Sequence, residues 1–211
     1  MSLDIKGGFH IVDHSTLLRR VQSKSVPGSM VKWISNFISY RQCAIIFPGS
    51  ATEMRGINTG IPQGSTLSPI LFVIYVEPLY NCIDPSRQFI LSYVDNIQTT
   101  VSSSSWWMNS QLLEEPFARI KNLAMSVGLE FSTHKTDLIH WRTPREKVAR
   151  SEHPIVVDGE CIQPTPKAVK WLEFYFENNH GTWTHYANRL TLAQAAFDRI
   201  KRLSSPGGRL T

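Results

Sequence analysis

The sequence predicts an α+β fold in which an antiparallel sheet packs on helices. Three observations carry that prediction. Apolar residues recur at helical spacing in Met30 to Tyr40 and in Tyr186 to Leu203. Short β-branched and aromatic runs flank tight-turn residues at Pro48-Gly49-Ser50, Asp95-Asn96 and Asp158-Gly159. The apolar run from Leu67 to Cys82 is long enough for a largely buried helix. With 211 residues, 42% apolar, 18% charged and six tryptophans, the chain can bury one sizeable core.

In chain order, Ser2 to Ile5 reads as a short strand that breaks at Gly7-Gly8. Asp13 is a fitting N-cap for a helix to about Lys24, ended by Pro27 and Gly28. Val31, Ile34, Phe37 and Ile38 form one face of a second helix. Arg41 to Phe47 and Glu53 to Asn58 form a hairpin. Gly60 to Ser65 is a turn-rich loop leading into the buried Leu67 to Cys82 helix. Gln88 to Thr100 gives two strands joined at Asp95-Asn96. A helix over Trp107 to Val127, kinked or restarted at Pro116, is stopped by Gly128. Strands follow at Leu129 to Ser132 and Thr136 to Trp141. After a basic loop, Arg142 to Pro154, come a hairpin turned at Asp158-Gly159 and a strand over Ala168 to Glu177. In the last helix Leu190, Ala193, Phe197 and Ile200 share a face, with Arg199, Lys201 and Arg202 off it. Ser204 to Thr211 is a basic tail.

Lys and Arg number 22 against 17 Asp and Glu, a net charge of +5 that permits a nucleic-acid partner without requiring one. Cys43, Cys82 and Cys161 are odd in number, far apart and without metal-ligand spacing, so reduced, buried thiols in an intracellular protein are expected. Nucleus and cytoplasm are not distinguished. No apolar run reaches the roughly 20 residues that span a bilayer. The first residues, Met1 to Gly8, lack the pattern of a secretory signal and read as beginning inside a folded element. A soluble protein without a membrane partner is expected.

Three segments carry chemistry. Tyr93-Val94-Asp95-Asn96 places an acid and an amide at the tip of an apolar hairpin, where Asp95 could bind a hard cation; both are also ordinary turn residues. Ser2-Leu3-Asp4-Ile5 supplies a second carboxylate, with Phe9 five residues on, although a lone Asp near a terminus is commonly just solvated. Gly60-Ile61-Pro62-Gln63-Gly64-Ser65-Thr66-Leu67-Ser68-Pro69-Ile70-Leu71-Phe72 is the most specific, because a generic turn-helix junction needs no Gln-Gly pair followed by Ser-Pro.

In this order and spacing the segments resemble the catalytic motifs of reverse transcriptases, most closely those of non-LTR (LINE-type) retrotransposons, over residues 2 to 203. The resemblance implies a polymerase palm over residues 1–180, without the fingers segment that normally precedes it. Residues 181–211 would then be the start of a helical thumb and a basic tail. It implies Asp4 and Asp95 as metal ligands, Asn96 where the family has a second aspartate, and Phe9 as the residue that excludes a ribose 2′-hydroxyl. Gln63 and Gly64 would position the incoming nucleotide and template. Gly128 to Lys135 resembles the fourth motif, with Lys135 near the triphosphate, although a Lys there could equally be solvated. Trp171, Leu172 and Phe174 lie in a segment that resembles the primer-gripping hairpin. The implied cofactor is Mg2+, with Mn2+ as a substitute, and the implied partners are an RNA template, a DNA primer and deoxynucleoside triphosphates.

The chemistry explains these residue types. Two magnesium ions roughly 3.5 to 4 Å apart activate a primer hydroxyl and stabilise the leaving pyrophosphate, which requires carboxylates from neighbouring strands. Asn96 removes one negative charge from such a site. His10 stands where the family has Asp, and Glu173 replaces a family Gly. Impaired activity is therefore the expectation, with a truncated, decayed reading frame as the favoured origin. The alternative is a non-catalytic nucleic-acid-binding remnant using Arg145, Lys147, Arg150 and the basic face of the Arg189 to Arg202 helix.

Overall fold

The computed structural model describes residues 1–141 and 153–204. Arg145, Lys147, Arg150 and the basic tail after Ser204 lie outside the described residues. The chain forms two compact units, Met1–Thr136 with Ile155–Ile162, and Asp137–Pro154 with Gln163–Thr211.

The first unit is built on a three-stranded antiparallel sheet in the order β1 (Ser2–Asp4), β7 (Asn96–Val101), β6 (Gln88–Tyr93). Side chains alternate across a strand, so the register decides which residues share a face. Leu3 pairs with Ile97 and both are fully buried. Asp4 pairs with Asn96, which pairs with Tyr93, so these three share the opposite face.

Two helices follow β1: α1 (His14–Ser23) and α2 (Gly28–Ile38). The Asp13 carboxylate caps α1 by accepting from the Thr16 amide at 2.7 Å. Pro27, expected only to end α1, is itself the N-cap of α2, which therefore starts two residues before Met30. The hairpin over residues 41–57 is present but interrupted. Its base is β2 (Arg41–Cys43) on β5 (Arg55–Ile57), and its tip is β3 (Ile46–Phe47) on β4 (Ser50–Ala51).

The apolar run gives α3 (Ser68–Val76), shorter than expected, followed by a 3-10 helix over Glu77–Cys82. Pro78 explains the change, since it has no N–H to continue the α-helical ladder. Leu71, Phe72, Tyr75 and Val76 of α3 are buried together with Leu17 and Val21 of α1. Burying each large side chain contributes about 2–3 kcal/mol. The Tyr75 hydroxyl donates to the Val127 carbonyl at 2.7 Å, and burial holds its pKa above the usual phenol value.

Helix α4 (Trp106–Ser126) runs through Pro116 without restarting; it packs on β7 and on the hairpin of β8 (Ile155–Val157) and β9 (Glu160–Ile162). That hairpin turns as expected, with Asp158 at φ 51 and Gly159 at φ 79, the left-handed pair a two-residue turn needs. The expected strands over 129–132 and 136–141 do not form. A 3-10 turn at Thr133–Lys135 separates two isolated bridges, Ile5 to Phe131 and Leu138 to Pro164. Only single backbone pairs reach across, such as the Ser132 amide to the Asp4 carbonyl at 2.8 Å.

In the second unit the segment read as one strand is a hairpin, β10 (Ala168–Trp171) and β11 (Phe174–Glu177), followed by α5 (Trp183–Ser204). Leu172 and Glu173 form its turn at φ 47 and 66. Neither is a usual left-handed residue, so the residue types alone do not reveal the turn. Leu190, Phe197 and Ile200 of α5 are exposed, so their shared face is not a core face among the described residues.

The cysteines depart from expectation. Cys43 and Cys161 are exposed and Cys82 is half-buried, because the first two lie in two-stranded ribbons with little covering them. Among the described residues no helix is long and apolar enough to cross a membrane.

Candidate active site

The β1–β7 register brings the two aspartates together. Asp4 ends β1, and the Ile5 amide just beyond it donates to the Asp95 carbonyl at 3.1 Å. Asp95 occupies the two-residue turn between β6 and β7, preceded by Val94 at φ 57. A β-branched residue in that region is an outlier, and such strain costs of order 1–3 kcal/mol. It persists because sheet pairing on both sides fixes the turn.

Asp4 and Asp95 line one open cleft of about 420 Å³, together with Lys6, Phe9, His10, Gln63 and Lys135. Each wall has a local cause. Gly8 lets the chain pass close to the site, because a Cβ there would lie 2.9 Å from the Phe72 ring and 3.2 Å from the Asp95 Cβ. The Phe9 ring rests against Phe72 with centroids 5.2 Å apart. The loop carrying Gln63 is held at its base, where the Gly60 amide donates to the Val12 carbonyl and the Ile61 amide to the Phe9 carbonyl, both at 2.8 Å. His14 Nε2 lies 2.7 Å from the Gly60 carbonyl, and Arg41 donates to the same carbonyl at 2.6 Å. Ser68 Oγ closes the loop onto the Pro62 carbonyl at 2.6 Å.

Both carboxylates have protein partners. Lys135 Nζ reaches Asp4 Oδ2 at 3.0 Å, with 69% of the Lys135 side chain exposed against 19% for Asp4. Asn96 Nδ2 donates to Asp95 Oδ1 at 3.1 Å. Two carboxylates on one cleft are an oxygen donor set of the kind hard cations take. Among the described residues no cluster of three or more His, Cys, Asp or Glu forms.

The other expected site residues fall outside this lining. Gly64, at φ 90, and Asn96 are adjacent in sequence to lining residues without lining the cleft themselves. Trp171, Leu172 and Phe174 belong to the second unit. There the Phe174 ring stacks on His185 at 4.1 Å, and Trp171 Nε1 is buried without a hydrogen-bond partner. Glu173 pairs with Lys170 at 2.7 Å, and that contact lowers its carboxyl pKa. Its φ of 66 is one that a glycine would occupy without strain. Lys6 and His10 are lining residues not assigned a role from sequence, and their closeness to Asp4 was the available signal.

The family model for reverse transcriptase (RNA-dependent DNA polymerase) matches residues 1–176. The chain belongs to the reverse transcriptase family. Its relatives lie among non-LTR retrotransposons. It is 27% identical over 219 residues, 99% of the chain, to a putative 115 kDa protein in the type-1 retrotransposable element R1DM of Drosophila melanogaster. It is 21% identical over 81% of the chain to a probable RNA-directed DNA polymerase from transposon X-element of the same fly. It is 33% identical over 37% of the chain to a Pol polyprotein from type-1 retrotransposable element R2 of Popillia japonica. The chain spans 20%, 18% and 13% of these relatives respectively.

Proposed function

We propose that the chain is the palm of a retrotransposon RNA-directed DNA polymerase, with the palm over residues 1–180 and the start of a thumb over 181–211. It acts on an RNA template, a DNA primer and deoxynucleoside triphosphates, and by itself it is a slow enzyme. The observation that supports this reading most is that Asp4, at the end of β1, and Asp95, in the adjoining turn, line one cleft with Gln63 and Lys135.

In this reading Asp4 and Asp95 hold Mg2+, or Mn2+ in its place, together with triphosphate oxygens; one or two carboxylates plus substrate phosphates is a common magnesium arrangement. When bound, the metal supplies activation of the primer 3′-hydroxyl and neutralisation of the leaving pyrophosphate. Lys135 and Lys6 add positive charge on the triphosphate side of the cleft. Phe9, braced by Phe72, serves in this reading to exclude a ribose 2′-hydroxyl. Gln63 and Gly64 position nucleotide and template, and Trp171, Leu172 and Phe174 grip the primer. Asn96 is the reason for the low rate, since an amide withholds one of the negative charges that two dications need.

The test is extension of a DNA primer on an RNA template with Mg2+ or Mn2+. Slow extension that disappears in Asp4→Ala and Asp95→Ala is expected. No extension, with binding that falls steeply with salt and ignores Asp4→Ala and added metal, would instead identify a nucleic-acid-binding remnant.

A further inference from the structure

We infer that Lys135 is a resident counter-cation for Asp4, one that a divalent ion entering the cleft must displace. This rests on the proposed metal site. The motivating geometry is the Lys135–Asp4 pair, 3.0 Å across 131 positions of sequence, on a carboxylate that is only 19% exposed. A partly buried carboxylate without a cation carries a desolvation cost. Lys135 reduces that cost in the metal-free protein, and its backbone is fixed in the right place to do so. The Ser132 amide bonds the Asp4 carbonyl at 2.8 Å, and the Lys135 amide bonds the Ser132 carbonyl at 3.0 Å. The 3-10 turn at Thr133–Lys135 is thereby tied to β1, and the ammonium is delivered to the carboxylate.

The consequence is competition. An ammonium and a dication on Asp4 Oδ2 exclude or repel one another, so the protein alone holds metal weakly. Lys135 is mostly exposed and on a flexible stem, so it can swing away to triphosphate oxygens once these are present. Release of the carboxylate and engagement of the nucleotide are then one movement, which favours metal arriving with substrate over metal arriving first.

The experiment measures Mn2+ binding to the whole chain, without nucleotide or nucleic acid, by the loss of the free-ion electron paramagnetic resonance signal. An ion pair with one exposed partner is a weak competitor, so Lys135→Met should tighten Mn2+ binding about threefold to fivefold, and Lys135→Arg should keep it weak. Unchanged or weaker binding in Lys135→Met, with binding still abolished by Asp4→Asn, overturns the counter-cation role and leaves the metal site standing. Binding that survives the Asp4→Asn, Asp95→Asn double variant overturns the metal site itself. Melting curves without metal confirm that each variant is folded before its affinity is compared.

Discussion

Asp4 stands directly opposite Asn96 across β1 and β7, and Asn96 in turn donates its amide to Asp95 at 3.1 Å. The amide therefore supports one carboxylate, and in the proposed reading it also withholds one negative charge from the metal site. Asn96→Asp should reverse both. Restoring the charge should raise primer extension by about tenfold to a hundredfold, since each 1.4 kcal/mol of transition-state stabilisation is about tenfold in rate. Without metal the same change sets three carboxylates together, so the melting temperature should fall, and added Mg2+ should recover more of it than in the unsubstituted chain. A variant that is neither faster nor more responsive to metal would argue against the charge account.

The loop that carries Gln63 is braced by α1, through His14 at the Gly60 carbonyl, so the cap of α1 bears on the site. Asp13 accepts from Ser15 Oγ and from the Thr16 amide, both at 2.7 Å, and these bonds hold its carboxyl below the ordinary aspartate range. A lowered folded-state pKa gives stability that is present above the unfolded value and lost as pH falls through the folded one. Asp13→Ala should cost about 1 kcal/mol near neutral pH. In urea titrations the gap between the two proteins should close below about pH 4 and be flat above about pH 5. A gap that widens on acidification would mean that Asp13 acts in some other way.

The strand end carrying Asp4, the turn carrying Asp95 and the Gly60 to Phe72 loop were legible because each is local, whereas only the family resemblance joined the two aspartates. The Asp158-Gly159 hairpin was legible because its residues favour left-handed backbone. What stayed hidden is set by distant contacts. Lys135 meets Asp4 across the whole first unit, and no local pattern encodes that meeting. Residues 129–132 have strand-like composition, but they have only the end of β1 to pair with, so they make a bridge and no strand. Val94, Leu172 and Glu173 turn the chain without turn chemistry, since the neighbouring strands impose the geometry.

Val94 is the clearest such case. Its φ of 57 is unfavourable for a β-branched side chain, whereas Asn tolerates that region. Val94→Asn should stabilise the protein by about 0.5–1 kcal/mol in chemical denaturation if the turn keeps its shape. Activity should stay the same or fall, because the strained turn is what fixes Asp95. A destabilised variant would show that Val94 contributes packing that outweighs its strain.

Gly60 and Gly64 bracket Gln63 and separate two kinds of demand on a glycine. Both have positive φ, 73 and 90, so alanine at either position is strained. At Gly64 nothing lies within 4 Å of an added Cβ, so Gly64→Ala should cost about 1 kcal/mol, the conformational part alone. At Gly60 the Cβ would sit 2.7 Å from the carbonyl oxygens of Phe9 and His10, which are backbone atoms and cannot rotate aside. The chain behind β1 would have to separate from the loop, breaking the Ile61 to Phe9 hydrogen bond that holds both cleft walls. Gly60→Ala should therefore cost about 3 kcal/mol or more, strain and a lost buried hydrogen bond together. It should also remove primer extension even at temperatures where the variant is folded. Equal costs at the two glycines would mean that the Gly60 loop is not clamped against Phe9, and that Gln63 is held in the cleft by something other than this contact.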